Sequence, residues 1–165
     1  MMMFVFVLIY LMLVLLRPQD YPQMADFGIP ILPMAMVSAL GAWVFSREKR
    51  FNAPQYLLLP MFHLVLCLSL LAIGWMEGAV GAFLYFLPCL VSFFLLANAV
   101  NTPAYTRTIM TVIVLCAFVM AAHGWEQAAT GVGWTGQTTV EDGRIQYVGI
   151  FSDPNDLGML FVISL

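Results

Sequence analysis

Apolar runs of bilayer-spanning length dominate this chain, at residues 2–16, 28–46, 56–74, 79–97 and 108–123, and a further run begins at residue 155. A hydrocarbon core of about 30 Å takes about 20 apolar residues as a helix, and lipid offers no partner to a free peptide group. An open strand or coil therefore cannot cross it. Periodicity does not separate strand from helix in an all-apolar run, so length and the backbone requirement decide for helices. The expected fold class is all-α, a polytopic transmembrane helix bundle of five spans plus a truncated sixth, forming a single transmembrane domain over residues 1–165. The sixth run has only the stretch from Leu157 to Leu165, roughly 14 Å of helix. The chain is accordingly expected to be the N-terminal part of a longer protein.

Composition narrows the partners. Hydrophobic residues are 62% of the chain and charged ones 9%, against about 25% charged in a soluble domain. The net charge is −3, and outside Arg47-Glu48-Lys49-Arg50 the basic residues are scattered. No stripe exists to follow a nucleic-acid backbone, so membrane lipids are expected partners and nucleic acid is not. Cys67, Cys89 and Cys116 each lie in an apolar run, where cysteine acts as a small hydrophobe and not as a disulfide or metal framework. The first run lacks a basic leader and ends in Arg17-Pro18-Gln19-Asp20 in place of a small-residue cleavage site, which predicts a retained anchor. Pro88, mid-run, predicts a kink.

Charge placement predicts orientation. If the loop with Arg47, Lys49 and Arg50 is cytoplasmic, alternation puts the 98–107 loop with Arg107 on the same side, leaving only Arg17 and Arg144 opposite. The N-terminus is then cytoplasmic. Asp20, Asp26, Glu77, Glu126, Glu141, Asp142, Asp153 and Asp156 fall on the outer side, and Trp43, Trp75 and Trp125 near the run ends serve as interfacial anchors. The longest polar stretch, residues 124–149, is also outer. Within it, residues 137–140 and 144–148 flank Glu141-Asp142-Gly143, a hairpin signal.

Ser152-Asp153-Pro154-Asn155-Asp156 leads into the sixth run. With Asp153 as N-cap, Pro154 falls at the first helical position and Asp156 at the third, which satisfies backbone donors and places negative charge at the positive helix end. That structural explanation leaves Asn155 facing an apolar bundle and Arg144 eleven residues upstream on the same side. Arginine near a membrane surface is a bidentate phosphate ligand, and helix N-termini suit phosphate. Both explanations stand at this point.

The string Arg144-x4-Gly149-x-Phe151-x2-Pro154-Asn155-x-Leu157 resembles the signature of bacterial O-antigen ligases and the related O-antigen polymerases, where an outer segment enters a middle transmembrane helix. The Arg17-Pro18-Gln19 exit from the first helix is similar to that layout too. The resemblance implies a multi-pass glycosyltransferase of lipopolysaccharide biosynthesis in the bacterial inner membrane. It would move a glycan from an undecaprenyl diphosphate carrier to a glycan or lipid acceptor on the outer face, with no cofactor and no metal. Its partners would be a lipid-linked oligosaccharide or polysaccharide donor and that acceptor. It assigns Arg144 to the carrier diphosphate, and Asn155 with the helix start to the pocket around it. Asp153 and Asp156 join that substrate-binding set, with capping or orientation of Arg144 as their other role. The catalytic groups, a further arginine and a histidine on a larger outer loop, are expected beyond Leu165, so residues 1–165 alone are expected to be inactive. From another class, a transporter or flippase for a lipid-linked sugar fits the same layout, as does a scaffold in which residues 152–156 only cap a helix.

Other chemistry finds little support. His63 is expected to face the bundle interior and His123 to be interfacial. His123 and Glu126 lack a third metal ligand nearby, and no H-E-x-x-H, G-x-S-x-G or P-loop string is present.

Overall fold

The computed structural model describes residues 2–25, 28–46 and 49–165. Its elements are α1 (Met2–Leu16), a 3-10 turn (Pro18–Asp20), a short α2 (Pro22–Ala25), α3 (Ile31–Val44), α4 (Gln55–Ala72), α5 (Met76–Ala99), α6 (Pro103–Thr130), two further 3-10 turns (Glu141–Gly143 and Gly149–Phe151) and α7 (Pro154–Ser164). Among the described residues the only β-type pairing is an isolated bridge between Val132 and Thr138. The all-helical expectation holds. Arg47 and Asp26, used above in the charge balance, lie outside the described residues, as does the side chain of Glu141.

Among the described residues, four stretches are long and apolar enough to cross a membrane: Met2–Asp20, Gln55–Ala72, Met76–Ala99 and Pro103–Thr130. The chain is a membrane protein. The expected span at 28–46 forms only the 14-residue α3, about 21 Å of helix, which is short of the hydrocarbon thickness. Gly28 at φ 60° and a turn from Ile31 N–H to the Ile29 carbonyl delay its start, and Pro30 and Pro33 supply no backbone donors there. α6 departs in the other direction, beginning at a Thr102 N-cap that accepts from Tyr105 N–H and running on past His123 to Gly131, whose φ of 82° ends it. Residues 124–130, expected as loop, are helical because Glu126, Gln127, Ala128 and Ala129 are good helix formers despite their polarity. α5 continues through Pro88 without interruption.

α1 is the centre of the arrangement, packing most extensively on α3 and then on α6 and α5. Its first half, Phe4, Val7 and Tyr10, forms one core with Ala39 of α3 and Leu95 and Ala99 of α5. Its end, Leu15, forms a second core with Cys116, Ala117 and Met120 of α6, Tyr147, Val148 and Phe151 of the loop, and Leu157 and Leu160 of α7. Lipid is as apolar as leucine, so close packing through small residues such as Ala39, fully buried, holds such helices together. α4 packs chiefly on α5 and shows Leu57, Leu64, Val65 and Leu68 outward.

The two ends of the bundle differ in chemistry. At one, Phe4 stacks on Tyr105 with ring centres 4.0 Å apart, and Arg50 N–H donates to the Asn98 side chain at 2.8 Å. The loop carrying Lys49 and Arg50 and the first turns of α6, which carry Arg107, thus lie at the same end, as alternation predicted. At the other end, the corner after α1 meets the loop before α7.

Candidate functional site

The segment between α6 and α7 is anchored by side chains buried on α6. Gln127, fully buried, donates its amide to the Gln137 carbonyl at 2.9 Å and accepts from Gln146 N–H at 2.8 Å. The expected hairpin is reduced to its turn for that reason. Val140 N–H reaches the Arg144 carbonyl at 2.9 Å, and Asp142 adopts a left-handed φ of 69°. The next rung is made by side chains, with Gln146 Nε2 donating to the Thr138 carbonyl at 2.7 Å.

His123 is also fully buried within the protein. Its Nε2 pairs with Thr135 Oγ1 at 2.8 Å, and its ring meets Trp134 and Tyr147 edge-on. Glu126 is engaged separately, accepting from Trp134 N–H at 3.0 Å. Among the described residues no group of three His, Cys, Asp or Glu could hold a metal. His63 is buried between α4 and α5, its ring against Phe83 and Phe86 at 5.0 and 4.9 Å.

The loop is tied to the end of α1 at two points. Tyr147, with no exposed surface, donates its hydroxyl to the Leu16 carbonyl at 3.1 Å and pairs with the Tyr21 hydroxyl. Since the Tyr147 proton goes to Leu16, Tyr21 is the donor in that pair. Burial raises the Tyr147 phenol well above its ordinary pKa. Two residues on, the side chain of Arg17 lies across Gly149.

α7 begins as its sequence dictates. Asp153 is the N-cap, accepting from Asn155 N–H at 2.7 Å, with Pro154 first in the helix and Asp156 in its first turn. Beside that start, a groove of about 360 Å³ is lined by Arg144, Ile145, Asn155, Leu157 and Phe161. Arg144 and Asn155, named from sequence, are thus brought together. Asp153 and Asp156 are exposed at the helix start and do not line the groove. An arginine and an asparagine thus line one groove together with apolar residues, a combination that suits a phosphate carried on a lipid chain.

Sequence inspection missed Gln127, Tyr147 and the Arg17–Gly149 contact. Their partners lie 10 to 132 residues away, beyond any local pattern. Fold and groove define a class, a polytopic helical membrane protein with a polar site at one end of the bundle. No known family, curated protein or solved structure matches the chain.

Proposed function

We propose that the protein is an O-antigen ligase-like membrane glycosyltransferase, and that the groove between Arg144 and Asn155 receives the diphosphate of its undecaprenyl-linked glycan donor. The observation that carries this is the meeting of Arg144 and Asn155 in one groove also lined by Ile145, Leu157 and Phe161. In the reaction an acceptor hydroxyl attacks the anomeric carbon of the donor sugar. The bond from that carbon to the diphosphate oxygen breaks, and the carrier diphosphate leaves with the electron pair. Its charge grows in the transition state, where a fixed guanidinium stabilises it. The acceptor's proton passes to a base outside this groove, because arginine stays protonated and a carboxamide is not basic. An O-antigen polymerase runs the same chemistry with a repeat unit as acceptor.

On this proposal the groove opens on the outer face of the bacterial inner membrane, and the end carrying Lys49, Arg50 and Arg107 is cytoplasmic, as the positive-inside rule prefers. The test is glycan transfer by the protein expressed from its complete coding sequence. Arg144→Ala should lower transfer by roughly 10- to 100-fold, the range of a hydrogen bond to a charged group. Arg144→Lys should restore little, since lysine lacks the two-pronged geometry. Full activity in Arg144→Ala would remove the arginine from the mechanism. Movement of lipid-linked sugar without transfer would make the protein a flippase.

A further inference from the structure

We propose that Arg17 is a positioning residue that sets the Arg144–Asn155 groove by clamping Gly149; the functional half of this inference rests on the donor site proposed above. A Cβ on Gly149 would stand 2.0 Å from Arg17 Cδ, 2.5 Å from Nε and 2.6 Å from Nη1. Real side chains never approach so closely, so the end of the Arg17 side chain would have to move before any side chain could stand at position 149. Gly149 also has φ of 70°, where glycine alone is unstrained.

Arg17 is itself held in an unfavourable state. Its φ is 47°, a left-handed conformation that disfavours a residue with a long side chain. Its Nε is buried without a hydrogen-bond partner, while Nη1 is fixed by Asp20 at 3.1 Å. Backbone strain and a desolvated guanidinium nitrogen persist only where the surroundings over-determine them. Here the surroundings are the Tyr147 bonds to Leu16 and Tyr21, and the Tyr147 N–H bond to the Phe151 carbonyl at 2.9 Å, which closes the loop around Gly149.

Along the chain, the clamp lies between two residues that line the groove. Arg144 is five residues before Gly149 and Asn155 six residues after it. The corner of α1 therefore packs on the one glycine in the sequence between the two polar groups of the site. Arg17 acts through Gly149 and reaches the donor only by way of that glycine.

The experiment uses the full-length protein in membranes, with Arg17→Ala, Arg17→Lys, Gly149→Ala and the double variant Arg17→Ala/Gly149→Ala. Hydrogen exchange of residues 147–157 and the KM for the lipid-linked donor are read together. Arg17→Ala should speed exchange there about ten-fold and raise donor KM about ten-fold, with kcat within about two-fold, whereas a purely structural loss would lower the amount of folded protein without moving KM. Arg17→Lys keeps a stem on Gly149 and should recover most of the protection. If Arg17→Ala does not accumulate, Gly149→Ala presses on the contact from the other side and should give the same signature. The double variant should be no worse than the worse single one, because both break one contact. Unchanged exchange over 147–157, or additive losses in the double variant, would overturn the clamp. Faster exchange with an unmoved donor KM would overturn its link to the groove. Should Arg144→Ala prove harmless to transfer, the donor site fails, and the exchange data still decide the clamp.

Discussion

Gly133 is fixed by a residue ten positions earlier: a Cβ there would stand 2.1 Å from His123 Nε2. The ring cannot retreat, because Trp134 and Tyr147 hold its edges. Gly133→Ala should therefore break the His123–Thr135 bond and destabilise the protein by about 2–3 kcal/mol, within the range for overpacking, as read from thermal unfolding in detergent. Asp153→Ala should behave differently. It removes one cap bond and should cost about 1 kcal/mol with no change in specific activity, since Asp153 stands outside the groove. The contrast explains what was legible at this scale. The Asp153 cap obeys rules about adjacent residues and could be read directly, whereas Gly133, His123 and Gln127 take their roles from a fold the local string does not encode.

At the scale of elements, hydropathy located the helices and misjudged their ends. α3 is shorter than its apolar run because glycine and proline at 28, 30 and 33 act on the backbone and not on hydrophobicity. α6 is longer because Gln127 and its neighbours favour helix while reading as loop. The extra turns matter, since they carry the Gln127 amide that organises the following segment and displaces the expected hairpin ladder. Tyr147 fastens that segment to α1, and its phenol pKa is raised by burial. A raised pKa in the folded state means stability that is complete below the ordinary tyrosine value of about 10 and is lost as pH rises above it. Tyr147→Phe should lower the unfolding midpoint at neutral pH. The gap to the native protein should narrow above about pH 10, where the unfolded native chain ionises and the phenylalanine variant does not. A gap that stays constant to pH 11 would show that Tyr147 titrates normally.

Across the whole molecule, α1 joins two cores and so links the basic end to the end that carries the groove. The alternation of ends was legible because each apolar run must reverse direction in a bilayer. The position of α1 at the centre was not, because nothing in an evenly apolar helix marks which neighbours it will have. Single cysteines at positions 49 and 107 should react alike with a membrane-impermeant maleimide, and oppositely to cysteines at 142 and 158, in intact spheroplasts. Labelling of all four from one side would contradict the topology. The most direct measurement is the affinity of the purified full-length protein for undecaprenyl diphosphate, compared between the native chain and Arg144→Ala. A donor site at this groove predicts binding weakened by roughly 10- to 100-fold in the variant, the range expected for one charge-assisted contact. Equal affinity in the two proteins would mean that the diphosphate is held elsewhere and that the groove is not the donor site.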